Sequence, residues 1–424
     1  MRRTLTSALP QATPGENVRL QGWVHRRREL AKVTFLVVRD RSGLAQVVLP
    51  AGTDLPPEET PVEVTGTATV NAQAPGGVEV TEASVTALSE PAETPAVELW
   101  RPTLETGLPT LLDHAATTWR HPQQRAKWEL AAASLRGFRD TLDDQGFTEV
   151  QSPKLVEQAT ESGANVFQVD YFGRPAYLAQ SPQFFKQQLV GVFERVYEVG
   201  PVFRAEPHDT VRHLAEYVSL DVELGFVEDH REVMACLRDV IAGMVEAVRV
   251  RAGDAVERLG IELPVVPAEI PTIHFREALE IAGAPADEPD LSPAHERALG
   301  EWATAEHASD FVLVEGYPTA NRAFYSHPDP ADPHWSRAFD LIFRGTELVS
   351  GAQRLHRYDD YVRTLEERGY PYAPYASYVE AFKRGIPPHG GFAIGLERWV
   401  GRLVEAPNIR EVTLFPRDLH RLAP

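Results

Sequence analysis

The chain has 424 residues, a formal charge of −19, 43% hydrophobic and 24% charged residues, the balance of a globular protein of two or three domains. No run of 18 apolar residues offers a membrane span, no apolar leader follows Met1-Arg2-Arg3-Thr4, and the single cysteine, Cys236, excludes an intramolecular disulfide and a multi-cysteine zinc site. A reducing cytoplasm is therefore the expected compartment, with no membrane partner.

Five short alternating stretches come first, at 18–24, 34–40, 44–49, 62–70 and 77–81. Five strands in ninety residues predict a small closed barrel of the OB type. The overall acidity argues against a nucleic-acid binder, but residues 1–50 carry nine Lys or Arg against three acids, whereas 51–100 carry nine acids and no Lys or Arg. A local basic surface of this kind can meet a polyanion, but composition alone favours a solvated face of a small β domain.

Residues 89–110 contain Pro91, Pro95, Pro102 and Pro109 without periodicity, which reads as a boundary. The expected division is a barrel over 1–90, a linker over 91–120 and an α+β domain over 121–424. In that domain the spacing predicts a helix over 123–144, a strand at 146–150 stopped by Pro153, and strands at 196–204 and 217–223 around a polar loop. A helix over 229–251 follows, then strands at 310–315, 337–344, 346–352 and 391–396, and a helix from Leu396. Strands joined in this way favour an antiparallel sheet flanked by helices.

The chemistry is not that of the common nucleotide or hydrolase motifs. There is no Gly-x4-Gly-Lys-Ser/Thr, no Gly-x-Gly-x-x-Gly opening a helix, no His-Glu-x-x-His and no Gly-x-Ser-x-Gly. Three separated segments stand out instead. In Phe203-Arg204-Ala205-Glu206, followed by Arg212-His213-Leu214 and Asp221-Val222-Glu223, an arginine at a strand end can clamp a phosphate bidentately. A carboxylate two residues on can accept from an exocyclic amine. In Gly390-Gly391-Phe392-Ala393-Ile394-Gly395-Leu396-Glu397-Arg398, small residues admit a ligand to the backbone, and Arg398 falls at a helix start, where phosphate is favoured. The third segment is Gly146-Phe147-Thr148-Glu149-Val150-Gln151-Ser152-Pro153. Each alone fits an ordinary hairpin, turn or edge strand.

In combination, and behind an OB-like barrel, they resemble motifs 2, 3 and 1 of the class II aminoacyl-tRNA synthetases. The order of domains is similar to the subclass of aspartyl, asparaginyl and lysyl enzymes, and most similar to the archaeal-type aspartyl group. The resemblance covers nearly the whole chain; Pro207, the loosely matched motif 1 and residues 93–118 depart from it.

The resemblance implies ATP-dependent activation of L-aspartate and transfer to the 3′-hydroxyl of tRNA(Asp). It assigns Arg204, Glu206, Arg212, His213, Leu214, Tyr217, Glu347, Gly395 and Arg398 to ATP. Aspartate would be met by Glu161, Gln183, Lys186, Arg204, Asp221, Ser350 and Arg354. Lys186, one of five lysines in an arginine-rich chain, is absent from the asparaginyl relatives. Arg204, Arg398 and Glu347 would carry the chemistry. Mg²⁺ is the implied cofactor, held by Glu347 and Ser350 with Asp340 assisting; hard oxygens and phosphates suit it.

On the barrel, His25, Arg28, Phe35, Gln46 and Pro75 are implied anticodon readers, Phe35 by stacking and Gln46 by hydrogen bonding. The lesser alternative for Phe35 is plain barrel core. His25 and Pro75 resemble relatives that also charge tRNA(Asn), which implies a non-discriminating enzyme whose product an amidotransferase would consume. A homodimer is implied as well. The competing readings are an asparaginyl-tRNA synthetase and a catalytically idle RNA-binding paralogue.

Overall fold

The computed structural model describes residues 2–157, 166–207 and 210–423. The chain forms two compact units, Met1–His121 and Pro122–Pro424.

In the first unit, β1 (Asn17–Glu29), β2 (Val33–Arg39), β3 (Leu44–Pro50), β4 (Pro61–Val70) and β5 (Val78–Ala87) close into a barrel of order β1-β2-β3-β5-β4. The β3–β5 contact is parallel and the others are antiparallel. Alternation sends Val18, Leu20, Leu36, Val38, Val47, Val62 and Val64 inward, where they form one core. The alternation slips once. The β1–β2 register shifts between Val24 and Arg26, so His25 is the extra residue of a bulge, and Val24 and His25 are both buried. Beyond the barrel, α1 (Leu108–Asp113) and α2 (Ala115–Thr118) lie where the sequence predicts a linker. Pro109, read there as a breaker, sits in the first turn of α1, the one helical position that tolerates it.

The second unit begins with α3 (Pro122–Asp144), followed by β6 (Thr148–Glu149), β7 (Leu155–Val156), β8 (Gln168–Tyr171), β9 (Arg174–Leu178) and α4 (Gln183–Phe193). Next come β10 (Arg195–Phe203), β11 (Glu216–Gly225), α5 (His230–Arg251), α6 (Gly253–Leu259), β12 (Thr272–His274), α7 (Phe275–Ile281) and α8 (Pro293–His307). The chain ends with β13 (Phe311–Glu315), β14 (Ala338–Phe343), β15 (Thr346–Gln353), α9 (Tyr358–Glu367), α10 (Tyr372–Val379), β16 (His389–Gly395) and α11 (Leu396–Leu403).

The main sheet has the order β12-β13-β14-β15-β16-β11-β10-β6. Its six central strands are antiparallel, and the edge strands β12 and β6 pair in parallel. The mixed edges are the one departure from the antiparallel expectation. α3, α5 and α11 cover one face through Phe138, Leu142, Val240, Ile241, Met244 and Trp399. The opposite face of β11, β15 and β16 is left for polar side chains, and the cavities lie there. Among the described residues, no helix is long and apolar enough to cross a membrane.

Candidate active site

A first cavity, of about 190 Å³, opens beside β11 and the start of α11. Arg204 follows the last residue of β10 and donates its N–H to the Ala215 carbonyl at 2.9 Å. Its guanidinium lies 5.7 Å from the centre of the Tyr217 ring and 3.9 Å from the Glu206 carboxylate, with the side chain 44% exposed. His213 contacts the same carboxylate at 3.4 Å. Across the cavity Gly395 caps α11, so Arg398 stands in its first turn, and its guanidinium donates to the Glu347 carbonyl at 2.8 Å. Arg212, Leu214 and Gly395 complete the expected ATP set, all of it on this lining. Arg212 is paired with the buried Glu296 at 3.1 Å, which also accepts the Glu347 N–H at 2.9 Å.

Two carboxyls of this lining titrate high. Burial, then the neighbouring Asp340, push Glu347 up to about 7 against the pull of Arg398 and Arg322. Burial lifts Glu397 to about 7 too, although both its oxygens accept the Val218 N–H at 3.1 Å.

A second cavity, of about 260 Å³, adjoins the first and shares Arg204, Tyr217, Ser219, Ser350 and Ala393 with it. Positions i, i+3 and i+4 put Gln183, Lys186 and Gln187 on the buried face of α4. Lys186 Nζ lies 3.0 Å from Asp221 Oδ1 and 3.3 Å from Glu223 Oε2. Arg354 Nε donates to Glu223 Oε1 at 3.1 Å, and its Nη2 to the Gly391 carbonyl at 2.9 Å. Burial alone would raise the Glu223 carboxyl; Arg354 and Lys186 outweigh it and hold the group below the usual carboxylate range. Gly391 makes room for this pair. A Cβ there would overlap Glu223 Oε2 and the Val222 carbonyl. Gln183 lines this cavity, is 3% exposed, and its buried Nε2 has no hydrogen-bond partner among the described residues.

On the barrel, the register aligns Arg28 with Phe35 and Phe35 with Val48, and next to that row Arg26 with Val37 and Val37 with Gln46. Phe35 is half-buried and outside the barrel core, so it belongs to the outer face. Gln46 Nε2 donates to Glu79 Oε2 at 2.8 Å. Arg28 and Pro75 are exposed.

Residues 108–419 match the family described as class II tRNA synthetases (D, K and N), and residues 18–88 match the OB-fold nucleic acid binding domain. The chain belongs to the class II tRNA synthetases. Among curated relatives, aspartate–tRNA(Asp/Asn) ligase of Thermus thermophilus is 45% identical, with 98% of each chain covered. The Deinococcus radiodurans enzyme of the same name is 44% identical, with 100% of this chain and 99% of the relative covered. Among solved structures, asparaginyl-tRNA synthetase of Pyrococcus horikoshii, in complex with asparaginyl-adenylate, superposes with a TM-score of 0.92. It is 30% identical, and both chains are covered in full. Aspartyl-tRNA synthetase of Entamoeba histolytica gives a TM-score of 0.89 at 28% identity, covering 100% of this chain and 93% of the other.

As a class II synthetase the protein takes ATP, an amino acid and tRNA as substrates, and its barrel is the OB-fold nucleic-acid-binding domain. Two residues stand differently in this synthetase from the expectation. Asp340, expected to assist a metal ion, is 3% exposed and gripped by Arg322 through bonds of 3.2 and 2.5 Å, one to each oxygen. His25, expected to face an anticodon, is 6% exposed and turned onto Arg39 at 3.0 Å. Arg39 in turn holds Glu59 at 2.8 and 2.6 Å. Burial first, then Arg39, lower His25 to about 4, so it is neutral and points inward because of the bulge. Glu161 lies outside the described residues.

The synthetase also contains site residues that no motif announced. Arg322 stacks 3.6 Å from the Tyr317 ring centre, donates to Ser350 Oγ at 3.3 Å and lines the second cavity. Ser219 Oγ donates to Asp221 Oδ2 at 2.5 Å. Glu397 was visible as the neighbour of Arg398; Arg322 and Glu296 carried no signal. The donors at Glu347 and Ser350 fit a divalent ion. Both are hard oxygens, the Glu347 carboxylate lies 3.7 Å from the Arg398 guanidinium, and the phosphates of ATP would fill the remaining positions. Among the described residues, no group of three His, Cys, Asp or Glu could hold a metal by itself.

Proposed function

We propose that this synthetase activates L-aspartate as aspartyl-adenylate and transfers it to both tRNA(Asp) and tRNA(Asn). The observation that carries the reading is the buried cation pair Lys186 and Arg354 beside the second cavity, each held on a carboxylate. An aspartate substrate brings two carboxylates and one ammonium into this low-dielectric pocket. Arg354, fixed by Glu223 and the Gly391 carbonyl, faces the side-chain carboxylate, and Asp221 and Gln183 receive the rest. The names of the relatives, aspartate–tRNA(Asp/Asn) ligases at 44–45% identity, support the same substrate and the double tRNA range.

The shared wall explains how the chemistry proceeds. Arg204 lines both cavities, so it can clamp the α-phosphate while the aspartate α-carboxylate attacks phosphorus in line and pyrophosphate leaves. Tyr217 and Arg398 flank the adenine, Glu206 accepts from its amine, and His213 and Arg398 face the γ-phosphate end. Mg²⁺ bound to Glu347 and Ser350 would neutralise phosphate charge. No protein nucleophile is needed; positioning and preorganised charge lower the barrier. The 3′-hydroxyl of tRNA then attacks the acyl carbon. Phe35, Arg28 and Gln46 offer a stacking ring, a cation and an amide to the anticodon, with Pro75 at the rim and His25 acting through Arg39. A homodimer, and an amidotransferase that consumes Asp-tRNA(Asn), complete the proposal.

Amino-acid-dependent ATP–pyrophosphate exchange across aspartate, asparagine, lysine and glutamate tests the first half. Aspartate alone should support exchange; exchange with asparagine would establish the second reading, an asparaginyl enzyme. Charging of tRNA(Asn) transcripts tests the other half, which fails if only tRNA(Asp) is charged.

A further inference from the structure

The phosphate end of the first cavity does not close. Arg398 and Arg212 line it and also line a neighbouring cavity of about 200 Å³, whose far wall includes Arg402. Arg212 and Arg402 also line a groove of about 1060 Å³ that reaches Arg344 and, on the exposed face of α8, Arg297. Arginines therefore recur outward from the phosphate end of the first cavity, through one small cavity, into a wide groove that they share with Glu262, Glu301, Asp310 and Glu405.

The small cavity is rich in cations, although Arg212 already meets Glu296 at 3.1 Å and Arg398 meets Glu347 at 3.7 Å. Three arginines line it with two acids, Glu397 and Glu405. Glu397, lifted to about 7 by burial, carries only part of a charge near neutral pH. Arg402 Nη2 donates to the Arg344 carbonyl at 2.6 Å, while its buried Nε–H has no acceptor among the described residues. Burial first, and then Arg344 and Arg212, press its pKa down against the pull of Glu405. Arg344 braces the groove: it bonds Asp310 Oδ1 at 3.2 Å and the Glu262 carbonyl at 3.0 Å, which removes Asp310 as a competitor for anions. Arg297 has no hydrogen bond or ion pair among the described residues.

We propose that the cavity between Arg212, Arg398 and Arg402 is a relay site for inorganic pyrophosphate, through which the product leaves for the groove at Arg297. The inference rests on the aspartate-activation reading, since that reaction releases pyrophosphate at this end of the cleft. The site asks for a compact, multiply charged oxyanion, because forked guanidinium donors match phosphate oxygens two at a time. Once the α–β phosphoric anhydride bond breaks, the freed pyrophosphate gains a charge. That charge favours the move toward Arg402, whose Nε–H has no acceptor among the described residues, and on toward Arg297.

The test uses Arg402→Gln and, at the mouth of the groove, Arg297→Glu, where an exposed helical position makes a folding failure avoidable. In pyrophosphorolysis of enzyme-bound aminoacyl-adenylate, KM for pyrophosphate should rise about tenfold in Arg402→Gln, the loss of one charged hydrogen-bonding group, and severalfold in Arg297→Glu. KM for ATP and aspartate should stay within twofold. Unchanged pyrophosphate KM in both variants, or an equal rise in KM for ATP, overturns the relay. Absence of aspartate-dependent exchange in the unaltered protein overturns the substrate reading instead. Calorimetric titration with inorganic pyrophosphate and Mg²⁺ then still decides the site, supporting it if Arg402→Gln binds about tenfold more weakly and overturning it if affinity is the same.

Discussion

Lys186 Nζ lies 3.0 Å from Asp221 Oδ1 with both side chains 2% exposed. A charge pair this deep is costly to break, because the abandoned partner stays buried and unpaired, at about 3–5 kcal/mol. Lys186→Met should therefore lower the thermal midpoint sharply and abolish exchange with aspartate. Adding Asp221→Asn should restore much of the midpoint and none of the activity. Recovery of both would mean that the pair serves folding alone.

Gln183 behaves in the opposite way. Its buried Nε2 has no partner among the described residues, so no hydrogen bond among them is lost when it goes. Gln183→Leu should leave the thermal midpoint unchanged or raise it, while KM for aspartate rises about tenfold for one hydrogen bond to a charged ligand. Steady-state exchange and a melting curve suffice; a large drop in the midpoint with unchanged KM refutes it.

The Glu347 carboxylate is expected to share its charge with Mg²⁺. Glu347→Gln should raise the Mg²⁺ concentration for half-maximal exchange at least tenfold, in a titration at fixed ATP. An unaltered Mg²⁺ requirement would move the ion elsewhere.

His25 should set a pH window for the barrel. Its folded pKa of about 4 lies below the ordinary 6.5, so the unfolded chain takes up the proton first as pH falls. The stabilisation is whole above about 6.5 and is lost down to about 4, by at most about 3 kcal/mol. Thermal unfolding at stepped pH should show that slope, and His25→Asn should flatten it. An imidazole resonance titrating near 6.5 in the folded protein would contradict it.

Arg204 and Phe35 should separate the two half-reactions. Arg204→Ala removes a largely exposed clamp and should abolish exchange while leaving tRNA affinity intact. Phe35→Ala should leave exchange intact and raise KM for tRNA about tenfold, within the worth of one base stack. Coincident losses in either variant would undo the division of labour.

The parts of this site legible in the sequence are those carried by regular elements. Arg204 and Asp221 sit at fixed steps along paired strands, Arg398 follows a helix start, and Lys186 is conspicuous where arginine is the rule. Arg322 was invisible because arginine is common here and its segment, a 3₁₀ turn at Thr319–Asn321, has no period to betray its direction. The Arg322 partner of Asp340 was invisible for the same reason, since it is known only once the chain has folded. His25 was placed outside because alternation was extended through a residue where the strand bulges. The barrel and the central strands followed from period two; the parallel edges did not, because pairing direction leaves no trace in a two- or three-residue strand.

Gly391 gives the amino-acid pocket an unusual dependence. It is not among the residues with left-handed backbone, so its lack of a side chain answers a demand for volume and not for flexibility. The setting of Arg354 hangs on a hydrogen atom standing where a methyl would be. One carbon added there would push out the Glu223 carboxylate, free the guanidinium and blur the distinction between an acid and its amide, although no group that meets the substrate had been exchanged. Substrate choice can thus be lost in this fold through the backbone beneath the pocket, at a position that an inspection of ligand contacts would pass over.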